Sequence, residues 1–279
     1  MATLLNNVSN EASRDAIKEF IAHNNEKIVC VSSGGTKVPL EVNTVRSIEN
    51  FSSGSRGATS AECFLSERYR VVFLYRKGSI FPFTKSVRSL CPNGFDGDFL
   101  RHHLFGAGAT GGESLDVSTA QLQSLMSVER KCYNRAIEQK RLLCISYETV
   151  TEYLELLEVV ASLFSVRAEA ALLYCAAAVS DFYIPRSHMA THKIQSAAGE
   201  RAPDSAAAAA DEFVLRLSPV PKILGRITGE WCPRAFMVSF KLETDPLLLL
   251  RKARGAVANY GVHVVVANLL QVLCCFASE

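Results

Sequence analysis

KIVCVSSGG, Lys27–Gly35, is the stretch that decides how the rest of the chain reads. Ile28, Val29, Cys30 and Val31 form an unbroken apolar, largely β-branched run, and two serines and two glycines close it. An apolar run without alternation is buried on both faces, as in the middle of a parallel sheet, and the glycines mark the turn after it. The same pattern returns in RVVFLYR (Arg70–Arg76), in ALLYCAAAVSD with its polar end at Ser180 and Asp181, in AFMVSF and in VHVVVAN.

Between these runs lie segments with helical spacing. EASRDAIKEFIAHN places Ala16, Ile17, Phe20 and Ile21 on one face, and ATSAECFLSERY does the same with Ala58, Ala61, Phe64 and Leu65. Two further helices are predicted from about Ser118 to Lys140 and from Thr149 to Phe164, and another in DPLLLLRKARGAVANY. PKILGRITGEW reads as a helix with proline at its first position. FVLRL reads as a short edge strand. Lys77 to Gly112 is rich in Gly, Pro, Asn and Asp and reads as loop, with GAGATGG as a linker. The low-complexity segment between Ser196 and Phe213 reads as a mobile insertion, about 196–212. There is no internal repeat. The alternation of strand and helix predicts a single α/β domain over 1–279, with a Rossmann-like, mostly parallel sheet covered by helices on both faces.

Composition narrows the partners. With 30 basic and 28 acidic residues the formal charge is +2, which gives no support to a nucleic-acid partner or an anionic membrane surface. No apolar run reaches the ~18 residues that a bilayer-spanning helix needs, and the N-terminus does not read as a secretory signal. The nine cysteines sit mostly in apolar runs and include no CxxC pair, the pattern of buried thiols in a reducing compartment rather than of zinc ligands. A cytoplasmic protein with a small-molecule partner is expected.

Ligands of such sheets bind beyond the carboxyl ends of the strands. That rule points to Ser33–Thr36, Ala176–Asp181, Ser239–Lys241 and Ala267–Asn268. Near the first lies NFSSGSRGA, Asn50–Ala58, where Gly54 and Gly57 open a helix beside Ser52 and Ser53. It is either a turn with a helix cap or a cradle in which free N–H groups at a helix start take a phosphate. The chain has no GxxxxGK[ST] P-loop. It has no GxGxxG directly after the strand either, which argues against a dinucleotide-dependent reductase. Asp181 can hold a hydroxyl, an amide or a metal-bound water, or cap the next turn. Lys193 can meet a charged ligand or sit in solvent, and His188 and His192 read as surface residues. Phe240 can stack on a base or belong to the core. Asn268 can read a base or sugar edge or form a turn. Arg46 and Arg56 can take a phosphate or carboxylate, or pair with Glu41 or Glu49.

In order and spacing, SGGTKVPLE, VR, NFSSGSRGATSAE, AAAVSDFYIP, HKIQS, VPKIL, SFKLETDP and VVVAN resemble the eukaryotic phosphopantothenate–cysteine ligase family, from about Lys27 to Asn268. The resemblance implies a ligase of coenzyme A biosynthesis. It would join 4′-phosphopantothenate to L-cysteine through an acyl-nucleotide, using ATP (or CTP, as bacterial members do) with Mg2+, and would work as a homodimer. It carries Gly34, Ser52, Gly54 and Gly57 over to the nucleotide phosphates and Phe240 and Asn268 to the base and sugar. Asn50, Ala177, Ala178 and Asp181 match the phosphopantothenate site. Asn50 also matches a residue that handles the acyl-nucleotide, and Lys193 a lysine on a closing flap. Arg46 matches an arginine that reaches the neighbouring subunit's substrate site. The resemblance leaves the metal ligands unassigned. The bacterial members' flavin-binding decarboxylase portion has no counterpart here. Two departures stand out, the alanine-rich insertion and a C-terminus, LLQVLCCFASE, that does not match the family's continuation. The second leads to the expectation that C-terminal elements are missing. It also supports a rival reading, a catalytically weak form that binds nucleotide or pairs with a complete subunit.

Overall fold

A computed structural model describes residues 8–84, 119–195 and 213–270. In chain order the elements are α1 (Val8–Ala22), β1 (Ile28–Ser33), β2 (Lys37–Pro39), β3 (Ser47–Glu49), α2 (Ser55–Ser66), β4 (Arg70–Arg76), α3 (Thr119–Glu138), β5 (Leu142–Tyr147), α4 (Val150–Phe164), β6 (Ala171–Cys175), β7 (Phe182–Tyr183), β8 (Ser218–Pro219), α5 (Leu224–Arg226), β9 (Phe236–Glu243), α6 (Pro246–Tyr260) and β10 (Val264–Leu269). Six strands form one sheet in the order β10-β9-β6-β1-β4-β5, all parallel. Counted along the chain, this is the doubly wound 3-2-1-4-5-6 order of Rossmann-like folds.

β1 is buried along its whole length because both of its faces are covered. Ile28 and Cys30 face a core shared with Ile17 and Phe20 of α1 and Leu157 and Phe164 of α4. Val29 and Val31 face the opposite core, with Ala58, Ala61 and Leu65 of α2 and Ala136 of α3. A third, smaller cluster of Val38, Leu40, Val150, Ile184 and Val220 lies under the β2–β3 hairpin.

Local signals set several boundaries. Thr149 caps α4, accepting from Glu152 N at 3.2 Å, and Glu152 Oε2 returns the bond to Thr149 N at 3.3 Å. Asp245 caps α6 with Pro246 at its first position, and Gly261 ends it at φ 63°. Arg70 is fully buried at the start of β4. Its guanidinium lies 4.1 Å from the Phe20 ring centroid and donates to Phe20 O and, at 3.2 Å, to Lys140 O, which joins α1 to the strand and to the end of α3. These bonds answer the charge that burial would otherwise leave unpaired.

Three segments differ from the sequence reading. LLCISY adds a strand, β5, which a six-residue run between two helices does not announce. FVLRL forms no strand, because β7 offers only two residues for pairing and Ser218 and Pro219 take them. The helix expected at Pro221 begins three residues later, at Leu224, and passes into a π-turn, Ile227–Trp231, with Ile223 and Ile227 buried in the core. The GAGATGG linker, the alanine-rich insertion and the divergent C-terminus from residue 271 on lie outside the described residues.

Leu173 has no exposure at the centre of β6, whereas Leu242 is 50% exposed on β9. Leu173→Ala is expected to lower unfolding free energy by ~3 kcal/mol and Leu242→Ala by under ~1 kcal/mol, read from urea denaturation. Equal losses would contradict this placing of the core.

Candidate functional site

The chain leaves β1 toward β4 on one side and returns to β6 on the other, so the switch point of the sheet, where such folds form their ligand crevice, lies at the ends of β1 and β6. Its floor is tightly hydrogen-bonded. Ala178 N donates to Gly34 O at 2.8 Å, and Ser180 N to Thr36 Oγ1 at 3.0 Å. Ala177 N donates to Ser32 Oγ at 3.2 Å, and Tyr153 Oη lies 3.3 Å from the same oxygen. Tyr147 Oη donates to Ser33 O at 2.7 Å. Burial pushes both phenols well above their usual pKa, so both stay protonated. Ala177 and Ala178 are therefore fixed against the end of β1 through their backbones.

The glycines of the first loops serve two purposes. A Cβ on Gly57 would lie 2.4 Å from Ser33 Oγ and 2.5 Å from Ser33 Cβ, and one on Gly35 would lie 2.0 Å from Asn50 O. Those two positions let chain approach chain. Gly54 is tight as well, a Cβ there lying 3.0 Å from Ser33 Oγ, and in addition it precedes α2 at φ 82° and brings no capping side chain of its own. Ser33 Oγ donates to Gly54 O at 2.9 Å, and Ser52 Oγ faces Gly54 N at 3.4 Å. Ser55 N, the first of α2, donates to Ser53 Oγ at 3.4 Å, and Ser79 packs against both Gly54 and Gly34, the latter at φ 87°. Such a helix start attracts an anion.

The β2–β3 hairpin forms the next wall. Asn50, just past β3, donates from its backbone to Thr36 O at 3.2 Å, and its Nδ2 lies 3.5 Å from Val179 O, close to Ala178. Arg46, at the start of β3, donates from Nε (3.0 Å) and Nη2 (2.6 Å) to Glu41 Oε1 and from Nη2 to Ile194 O at 2.8 Å. Lys193 is exposed beside Ile194 on the segment 190–195, a strap that runs along the hairpin.

The remaining positions separate. Asp181 is exposed and pairs with Lys222 Nζ at 3.3 Å, a contact of modest worth at that exposure. Phe240 meets Tyr174 edge-on at 5.0 Å, and the Arg56 guanidinium lies 4.8 Å from its centroid, so Arg56 does not pair with Glu49. Glu49 is held by Arg76 instead. Asn268 lies on β10 opposite Leu242 of β9, and its Nδ2 is buried without a hydrogen-bond partner among the described residues. A buried, unused donor is costly unless something arrives to accept from it. His188 and His192 are exposed, and no group of three or more His, Cys, Asp or Glu side chains gathers among the described residues.

Sequence reasoning missed Tyr147, Tyr153 and Ser32, which act from beneath the loops and carry no motif signal. It also passed over Phe51, 94% exposed next to Asn50, for which an aromatic inside a Ser/Gly loop was the available sign. A 590 Å³ hollow lined by Ile21, Leu163, Val166 and Arg167 lies where α1 and α4 end, away from the strand ends that form the crevice.

No protein-family model matches the chain. It is 42% identical over 244 residues to phosphopantothenate–cysteine ligase 2 of Oryza sativa subsp. japonica, covering 87% of this chain and 68% of that protein. It is 39% identical over 251 residues to the phosphopantothenate–cysteine ligase of Homo sapiens, covering 88% and 73%. The chain belongs to the phosphopantothenate–cysteine ligase family. A Cab2 mutant solved in complex with phosphopantothenate-cysteine matches with a TM-score of 0.78 and 36% identity, over 96% of this chain and 82% of that one. In this ligase-family member the crevice gathers Gly34, Ser52, Gly54, Gly57, Asn50, Ala177 and Ala178, the hairpin carries Arg46, and Asn268 stands at the sheet edge.

Gly57→Ala is expected to cost ~1–3 kcal/mol through the clash with Ser33, whereas Gly229→Ala, with nothing within 4 Å, stays close to wild type in thermal melting. A second expectation concerns acid. Burial pushes the Glu41 carboxyl up, but hydrogen bonds from the Arg46 side chain and from the backbone of Arg46, Val45 and Ile194 outweigh it and hold it below its usual pKa. A lowered pKa contributes stability that is complete above the unfolded value, near ~4.3, and is lost as pH falls through the folded one. The melting-temperature gap between wild type and Glu41→Gln is expected to be constant above about pH 5 and to close in stronger acid.

Proposed function

We propose that this chain joins 4′-phosphopantothenate to L-cysteine at the expense of a nucleoside triphosphate, as a single domain. The observation that carries the reading is the glycine-led start of α2, tied through Ser33 to the same end of β1 that holds Ala177 and Ala178, in a ligase-family fold. In the first step the pantothenate carboxylate attacks the α-phosphorus, and pyrophosphate leaves. In the second the cysteine amine attacks the acyl carbon, and the nucleoside monophosphate leaves. Gly34, Ser52, Gly54 and Gly57 are assigned to the phosphates, where preorganised N–H groups stabilise developing charge without reorganisation. Phe240 and Asn268 are assigned to the base and sugar, and an Asn268 Nδ2 without a partner among the described residues supports a role as donor.

Asn50, Ala177, Ala178 and Asp181 are assigned to phosphopantothenate. Asn50 faces the carboxylate being activated, and Lys193 offsets the negative charge that builds during transfer. ATP is the proposed nucleotide, with CTP as the competing one. Mg2+ would neutralise and orient the polyphosphate, and no protein ligand set is assigned to it among the described residues. A homodimer is proposed in which Arg46 reaches the partner's substrate site. A single chain binds its Nε and Nη2 internally and leaves the side chain 42% exposed. The six described cysteines are all free, which supports a cytoplasmic setting.

The test supplies phosphopantothenate, cysteine and Mg2+ with ATP or CTP and measures pyrophosphate release and the condensed product. Turnover that requires cysteine is expected, with Asn50→Ala and Lys193→Ala lowering kcat ~100-fold or more while melting temperature holds. No cysteine-dependent product with either nucleotide would refute the reading.

A further inference from the structure

The strap that carries Lys193 is tied to the hairpin at several points, and one of them is a buried carboxylate. Glu41 sits in the turn of the β2–β3 hairpin, where residues are normally wet, yet it has no exposure. Its Oε1 accepts from Arg46 Nε, from Arg46 Nη2 and, at 3.5 Å, from Ile194 N. Its Oε2 accepts from Arg46 N at 3.2 Å and Val45 N at 3.4 Å. The attachment continues along the strap. Val42 N donates to Ala190 O at 2.9 Å, Asn43 N to Thr191 O at 3.0 Å, and Asn43 Nδ2 lies 3.4 Å from His192 Nδ1. Arg46 closes the ring by donating to Ile194 O at 2.8 Å.

We propose that Glu41 is a positioning residue for Lys193, clamping the strap to the same hairpin that delivers Asn50 to the crevice. The inference rests on the reading of Lys193 as a residue of the ligase reaction. A buried, paired carboxylate is a poor way to gain stability alone, because an apolar side chain of similar size often does as well. What a carboxylate adds is direction. Its two oxygens fix the hairpin turn through Val45 and Arg46 and at the same time fix the backbone next to Lys193, about 150 residues further along the chain. A lysine stem is long and flexible, so where its backbone is anchored decides whether its Nζ reaches the reacting phosphate. Lys193 and Asn50 are thereby referred to one frame, the hairpin, whose other end is pinned by Asn50 N on Thr36 O.

The experiment compares Glu41→Ala, Glu41→Gln, Lys193→Ala and the Glu41→Ala/Lys193→Ala double variant by steady-state turnover, and by hydrogen exchange at the Ile194 amide. Glu41→Ala is expected to lower kcat ~10–100-fold with KM for the nucleotide within ~2-fold, as misplacement of a reacting group does. In the Lys193→Ala background the same substitution is expected to cost nothing more, because residues acting as a unit are not additive. Exchange at Ile194 is expected to quicken in Glu41→Ala and to recover partly in Glu41→Gln, which keeps one acceptor oxygen. Additive losses in the double variant, or unchanged exchange at Ile194, overturn the proposal. If Glu41→Ala does not fold, Glu41→Gln carries the same comparison, alone and with Lys193→Ala. If the wild type makes no product, the ligase reading fails, while the exchange measurement still decides whether Glu41 holds the strap.

Discussion

β1 pairs in parallel with β4 on one side and β6 on the other, and this central pairing sets up everything at the crevice. Parallel strands bring their carboxyl ends to one edge of the sheet. Because the chain goes from β1 to β4 and returns to β6 only after β5 and α4, the loops at the two strand ends diverge. Ser32, Ser33 and Gly34 then serve both sides at once. Ser33 holds α2 through Gly54 O, and Ser32 and Gly34 hold Ala177 and Ala178. A shift of β1 by one residue would exchange its two buried faces and move all of these atoms together.

The start of α2 and the end of β6 are consequently joined in one hydrogen-bonded floor. Tyr147 and Tyr153 reach that floor from β5 and α4, so helices and strands remote in sequence support it from beneath. The hairpin and strap stand above it as a second layer, joined to the sheet through Thr36, Asn50 and the small cluster around Val38 and Ile184.

Much of this was legible in the residues, and what escaped did so for identifiable reasons. Continuous apolar runs gave five of the six central strands, since a strand buried on both faces leaves that trace. β5 escaped because LLCISY is short and sits between two helical patterns. The loops at the strand ends could be picked out because ligands of parallel sheets gather there. The separate duties of the glycines could not, since Gly54 opening a helix and Gly57 making room for Ser33 look alike in a string of letters. Arg46 and Glu41 were visible as possible partners, but Glu41's reach to Ile194 was not, because no spacing rule connects residues so far apart.

By itself the sequence determined the alternation of buried strands with amphipathic helices, the caps of α4 and α6, and the motifs that place the chain in its ligase family. These are local matters, set by burial on one or two faces and by hydrogen bonds within a turn of chain. Tertiary structure alone decided which strand ends face each other, that a Cβ at position 57 would strike Ser33, that Arg56 lies over Phe240, and that a buried carboxylate, beside Arg46 and two backbone bonds, joins the hairpin to the strap of Lys193. Those are distances between atoms far apart in the chain, and they exist only once the parallel sheet has brought its strand ends to one edge.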